Sequence, residues 1–292
     1  MDIWNNRSWK PMLLKEIDKP FNSKDYIYEL KFDGIRAIIF VNKNQIKIQS
    51  RNNVDMTHLF PELDCIRKFV KNKVIFDGEI VAFENNKDSF SKLQERIHLK
   101  NNNKILDASK NNPVTFIVFD IIYNDKDLTS LTLLDRKKYL KKYKDNDYFV
   151  KTKIFNDGEK LFKSVKKLGL EGIVAKVKDG KYLINKRSDN FIKIKNIKVD
   201  EFIIGGYELK KNDILSLAIG EYINNKFCFV GMVSMNKKHS LYDKVKKMKK
   251  SKNYFSDFDE NINFIKPTLS CHVEYLQRTR SNHLRHPILK DI

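Results

Sequence analysis

Residues 29–36 read ELKFDGIR, so that Lys31, Asp33, Gly34 and Arg36 set a primary amine beside a carboxylate, a permissive glycine turn and a guanidinium. An amine in such company can serve as a covalent nucleophile toward a phosphoryl group, but only in its neutral form. Its unperturbed pKa is roughly 10.4, so the chemistry requires neighbouring cations or burial to bring that value down. A single K-x-D-G is equally compatible with a strand ending in a solvated turn, and the rest of the chain has to decide.

The supporting residues follow in order: Ser50-Arg51, Asp77-Gly78-Glu79 within VIFDGEIVAF, Phe119-Asp120 within FIVFDIIY, EGIVAK over 171–176 and FIKIK over 191–195. Together they resemble the ordered motifs of the covalent nucleotidyltransferases, which comprise ATP-dependent DNA ligases, RNA ligases and mRNA capping enzymes. The opening WKPMLLKEIDKPF and the closing LRHPILKDI resemble more narrowly the bacterial ATP-dependent DNA ligases, above all the ligase modules of bacterial end-joining repair proteins. The resemblance implies an α+β chain: a nucleotidyltransferase (adenylation) domain of antiparallel sheets with helices over 1–198, then an all-β OB-fold domain over 199–292. It also implies sealing of 3′-hydroxyl/5′-phosphate nicks in duplex DNA, in repair, by three steps. Lys31 is adenylylated by ATP, AMP passes to the 5′-phosphate, and the 3′-hydroxyl displaces AMP.

Attack by Lys31 on the α-phosphate develops negative charge that needs cations already in place. Alternation in FIKIK puts Lys193 and Lys195 on one face of a strand, while Phe191, Ile192 and Ile194 help to pack it. The resemblance directs both lysines to the α-phosphate. Glu79 and Glu171 stand in apolar strand contexts, where an unpaired charge is costly, so each calls for a cationic or hydroxyl partner. By resemblance Glu79 holds the ribose or a metal-bound water and Glu171 engages Mg2+, an ion that prefers oxygen ligands and is shared with phosphates. An aromatic at Phe119 stacks on adenine in the family, although the sequence alone allows core packing equally. Arg36 and Arg51 are directed to the nucleotide and the nick phosphate, Glu29 to the adenine side of the pocket, and Asp33 to shaping the loop.

At 292 residues and 41% hydrophobic content, two ordinary domains with sizeable cores are expected. A net charge of +20 favours a polyanionic partner over an acidic protein or a neutral metabolite. Binding should then rest on phosphates of nicked duplex DNA and weaken with salt; the lysine runs KKYLKKYK and KVKKMKKSK, ordinarily solvated helix faces, suit such tracking. No apolar run approaches a membrane span and MDIWNNRSWK lacks a secretory core, so no membrane is expected and the expected setting is the cytoplasm, at the nucleoid, as a monomer. A Ku-type end-binding partner follows only from the end-joining resemblance. Cys65, Cys228 and Cys271 are far apart and read as buried thiols, without the tetracysteine zinc element of NAD-dependent DNA ligases. None of the six histidines has metal-ligand spacing, and His286 is expected to cap or pack near the end of the barrel.

The patterning predicts two strands around the turn NKNQ over 26–48 and buried strands at 74–83, 116–123 and 172–177. Helices are predicted over 159–168, with Leu161, Val165 and Leu168 inward and Gly169 as the stop, and over about 132–143, with Leu133, Leu134 and Leu140 inward. The asparagine-rich 101–112 reads as a loop with a short helix at best. Beyond Lys198, EFIIGGYEL, ILSLAIGEYIN, KFCFVGMVSM and CHVEYLQRT read as strands of a small barrel, with a lysine-rich helix before the last. The family follows LRHP with a basic R-E-D-K-like motif that orients pyrophosphate; here Lys290 and Arg285 are the substitutes, or the motif has been trimmed. Two rivals stand beside the DNA ligase: an RNA ligase or other RNA-directed nucleotidyltransferase, and a non-catalytic nucleic-acid-binding module.

Overall fold

In the computed structural model, residues 2–290 are described, and the chain divides into two units, Met1–Asn196 and Ile197–Ile292. The division, after Asn196, lies two residues before the boundary expected after Lys198.

The first unit runs β1 Leu13–Glu16, β2 Tyr26–Lys31, β3 Ile35–Val41, β4 Ile46–Ser50, β5 Val74–Glu84, β6 Lys87–Asp88, α1 Phe90–Ile97, α2 Asn102–Asn111, β7 Val114–Asn124, α3 Leu133–Leu140, β8 Phe149–Lys151, α4 Gly158–Leu168, β9 Gly172–Val177 and β10 Arg187–Lys195. Two sheets result. The smaller has the order β1-β10-β9-β2, and the larger β4-β3-β5-β7-β8 with β6 on β5. The segment 26–48 therefore holds parts of three strands, and KFDG is the link by which the chain leaves one sheet for the other. Gly34 serves this link through space rather than unusual dihedrals, because a Cβ there would stand 2.3 Å from the Ile80 carbonyl oxygen and 2.8 Å from Cγ of Glu79.

Alternation decides what each sheet face meets. Ile27, Val174 and Phe191 from the small sheet join Ile38, Phe40, Ile75 and Ile122 from the large one in a shared core. The other face of the small sheet, with Tyr28, Ile173, Ala175, Ile192 and Ile194, packs on Leu161, Phe162 and Val165 of α4. Asp157 caps that helix and Gly169 ends it at φ 68. Leu168 is exposed, as is Leu134 on α3, so the inward stripes are narrower than expected. The expected loop at 101–112 is a ten-residue helix, α2, whose start Asn101 caps by accepting from the amides of Asn103 and Lys104. Asparagine favours loops and helix caps alike, and here it caps.

The second unit comprises β11 Lys198–Lys210, β12 Ile214–Ile223, β13 Lys226–Met235, α5 Tyr242–Lys246, β14 Asn263–Tyr275 and β15 Ile288–Lys290. Its five strands form a curled antiparallel sheet, β13-β12-β11-β14-β15, an OB-fold-like domain. CHVEYLQRT contributes only the end of β14. The strand begins earlier and contains Pro267, which the pairing tolerates: Leu269 pairs with Ile204 and Phe264 with Gly206, leaving Pro267 in a bulge where no ladder amide is required. Of the cysteines, Cys271 is buried, while Cys65 and Cys228 are half-buried. His286, expected to cap or pack, is exposed, with φ 53. Lys290 pairs with Glu274 at 3.0 Å, and Asp291 and Ile292 lie outside the described residues.

Candidate active site

Strand pairing in the small sheet aligns the residues that carry charge. Lys31 stands opposite Gly172, and Gly172 opposite Lys195; one row away, Glu29, Val174, Lys193 and Glu16 are aligned, and beyond that Ile27, Lys176 and Phe191. Period-two alternation puts all of these on the face turned toward the large sheet. Gly172 is required in the middle of this array, since a Cβ there would meet the Ile194 carbonyl oxygen at 2.3 Å.

The large sheet supplies the opposite wall. Arg36 on β3 pairs with Glu79 on β5, and Asp77 with Asp120 on β7. The register slips between Asp77 and Gly78, whose partners are Asp120 and Val118, so Phe119 is the extra residue of a β-bulge. A bulge re-aims its side chain, and Phe119 lines a cavity instead of entering the core. That cavity, about 210 Å³, is bounded by Glu29, Lys31, Arg36, Arg51, Glu79, Phe119, Lys176 and Lys193 among others. It is the polar continuation of the core shared by the two sheets.

Lys31 Nζ lies 2.9 Å from Oε2 and 2.8 Å from Oε1 of Glu171. Burial acts to lower the lysine pKa, but the carboxylates of Glu171 and Glu79 outweigh it and hold the ammonium above its usual range. The expected lowering by cations is thus absent, because the nearest groups are acids. Burial pushes the Glu171 carboxyl up against the pull of Lys31. Burial also raises Glu79 to about 8, against Lys31 and Arg36, with no hydrogen bond or ion pair of its own among the described residues. The direct partner expected for Glu79 is therefore not formed.

The fork of Arg36 is already engaged. It donates to Asp77 at 3.0 and 2.7 Å and to the Met12 carbonyl at 2.7 Å, and Tyr182 donates to Asp77 at 2.7 Å. Burial disfavours its charge, yet Asp77 more than compensates and the pKa is raised. The guanidinium reaches the cavity beside Phe119, 5.6 Å from the ring centroid, so it is a braced wall rather than an open fork. Arg136 braces Asp120 in the same way at 2.9 and 2.8 Å. Arg51, one residue past β4, is exposed and lines the cavity.

At the inner end, the buried Glu29 carboxylate accepts from Lys176 at 2.7 Å and from Lys137. Burial raises its pKa, and the two lysines together pull it below the usual range. Lys176 itself falls to about 8 through burial, which Glu29 only partly offsets; its ammonium sits 4.2 Å from the Phe119 centroid and 4.5 Å from that of Phe191. Lys137 belongs to KKYLKKYK, a run read as a solvated face, yet it is buried.

The cavity gathers Glu29, Lys31, Arg36, Arg51, Glu79, Phe119 and Lys193. Glu171 adjoins through Lys31, and Lys195 adjoins through the pairing with Gly172. Sequence reasoning gives no role to Lys137, Lys176, Asp77, Tyr182, Glu16 or Arg136. A lysine or aspartate inside an apolar run was the available signal for Lys176 and Asp77; the partners of the others lie too far along the chain to be inferred.

Among the described residues, no three His, Cys, Asp or Glu side chains converge as a ready-made metal cage. Two raised carboxyls beside each other, one without a bonded partner, do fit an ion held by one or two protein oxygens and by substrate phosphates.

Residues 11–195 match the family described as ATP dependent DNA ligase domain, and residues 210–292 the ATP dependent DNA ligase C terminal region. The chain belongs to the ATP-dependent DNA ligases. The SPbeta prophage-derived DNA ligase-like protein LigB of Bacillus subtilis is 36% identical over 282 residues, covering 95% of this chain and 96% of that protein. The multifunctional non-homologous end joining protein LigD of Mycolicibacterium smegmatis is 29% identical across 95% of this chain, which spans only 37% of that larger protein. In fold, the ligase resembles mycobacterial DNA ligase D complexed with ATP and MES, with a TM-score of 0.61 at 23% identity over 99% of this chain and 96% of the other. A Lig E DNA ligase, a minimal scaffold for DNA binding, gives 0.65 at 17% identity over 97% of this chain and 98% of the other.

Proposed function

We propose that this ligase seals nicked duplex DNA through a lysyl-AMP intermediate on Lys31, with ATP as donor. The observation that carries the reading is the cross-strand row Lys31–Gly172–Lys195, with Lys193 one row away, facing Glu79 and Phe119 in one cavity. Nζ of Lys31 attacks the α-phosphorus; the N–P bond forms as the bond to pyrophosphate breaks. Lys193 and Lys195 offset the charge that develops on the phosphoryl oxygens. Phe119 stacks the base, Glu29 with its two lysines lines the base end, and Glu79 takes the ribose or a metal-bound water. Arg36, braced by Asp77, forms the wall beside the base, and Arg51 serves the nucleotide and the nick phosphate. Glu171 orients the Lys31 amine and accepts its proton at Oε1 or Oε2.

Mg2+ held by Glu171 and Glu79 together with nucleotide phosphates would offset the carboxylate charges that hold Lys31 protonated. AMP then passes to the 5′-phosphate, freeing Lys31, and the 3′-hydroxyl displaces AMP. The net charge of +20 supports a grip on the DNA backbone. A place in repair draws support from relatives named for non-homologous end joining; a Ku-type end-binding protein as recruiter and action as a monomer complete the proposal. Relatives named as DNA ligases do not favour the RNA-directed alternative.

Incubation with α-labelled ATP or GTP and Mg2+, followed by nicked-duplex sealing, tests the reading. Label is expected from ATP alone and is lost in Lys31→Ala. Persistent label in that variant removes Lys31 from its role.

A further inference from the structure

Glu16, the last residue of β1, bridges two lysines. Its Oε2 lies 2.8 Å from Nζ of Lys193 and its Oε1 2.8 Å from Nζ of Lys195. With both oxygens engaged, the carboxylate meets the ammonium pair much as one edge of a phosphate would. Strand register holds it there: Glu16 stands opposite Lys193, and the Ile17 amide donates to the Lys193 carbonyl at 3.2 Å. The side chain of Glu16 is 38% exposed and those of the lysines 24%, so the carboxylate can swing toward solvent without disturbing the core.

We propose that Glu16 is an internal competitor for the nucleotide phosphate, clasping Lys193 and Lys195 until an incoming phosphate displaces it. The inference rests on the phosphate-binding role proposed above for the two lysines. Two ammonium groups on alternate residues of one strand repel each other, and Glu16 offsets that repulsion before nucleotide binds. A single carboxylate charge yields to a triphosphate, which carries more charge and more acceptor oxygens. The same exchange run backward helps AMP and pyrophosphate to leave, so affinity for the phosphates is held below what the lysines alone would give. Burial tends to raise the Glu16 pKa, but both lysines act against it and the net value is lowered, in keeping with an ionised clasp at neutral pH.

The experiment compares the full chain with Glu16→Gln, Glu16→Ala and Glu16→Asp in self-adenylylation with α-labelled ATP, and by calorimetric titration with inorganic tripolyphosphate. Neutralising an exposed competing ion pair should lower the KM for ATP about three- to tenfold while kcat changes less than about twofold. Tripolyphosphate should bind tighter by a similar factor, and Glu16→Asp should retain wild-type values. The gain should vanish when Lys193 and Lys195 are both replaced by alanine. An unchanged or raised KM with unchanged tripolyphosphate affinity, in either folded neutral variant, overturns the proposal and would mean that Glu16 merely organises the lysines. If the wild-type chain takes no label at all, the functional reading fails instead, and the titration alone decides whether Glu16 competes.

Discussion

Replacing Asp77 by alanine tests whether the wall of the cavity is held by the buried ion pair behind it. Asp77 is fully buried and Arg36 is 9% exposed at its side chain. The substitution removes two charge-assisted hydrogen bonds to the guanidinium and the acceptor of the Tyr182 hydroxyl. What remains is a largely buried cation on the cavity wall without its bonded counter-ion, held by the Met12 carbonyl, and breaking a buried pair on one side costs about 3–5 kcal/mol. For a unit the size of Met1–Asn196, each kcal/mol lowers the melting temperature by about 2–4 °C, so a drop of roughly 6–20 °C is expected. Scanning calorimetry on the whole chain measures it, with the two units allowed separate transitions. Adding Arg36→Met to the Asp77→Ala chain should restore part of the loss, because the orphaned charge is then gone. A drop below about 1 kcal/mol, or no recovery in the double variant, would show that the pair is solvated in solution and that Arg36 is not braced as described.

Gly172→Ala should cost about 1–3 kcal/mol from overpacking, because its Cβ would press on backbone of β10; it should also slow adenylylation by splaying Lys195 from Lys31, as urea unfolding and labelling rates will show. Phe119→Ala should raise the KM for ATP by about 5- to 150-fold if the ring stacks on the base, the value of about 1–3 kcal/mol for such a contact; an unchanged KM would remove it from the base site. Affinity for nicked duplex should fall by orders of magnitude between about 50 and 200 mM salt if roughly six or more phosphates are neutralised, with little dependence on sequence, and a salt-insensitive binding curve would contradict a phosphate-dominated grip.

The motif residues, their order and the apolar alternation were legible in the chain because each depends on near neighbours. FIKIK puts two lysines on one strand face whatever surrounds it, and Asp157 with Gly169 brackets α4 by local capping alone. Local reasoning fails where a residue type has two uses: asparagine favours loops and helix caps alike, and Asn101 is a cap. Opposed partners were beyond it altogether. Nothing local announces that Glu16 answers Lys193, that Lys137 turns inward to Glu29 out of a run of lysines, or that Arg36 is occupied by Asp77. Those pairings follow from strand register and from two sheets closing on one another, and they set the charges. The KFDG motif and its ordered companions nominated Lys31 as a nucleophile; only the fold surrounded it with Glu171 and Glu79, which hold its ammonium form, because electrostatics depends on distance through space and not along the chain.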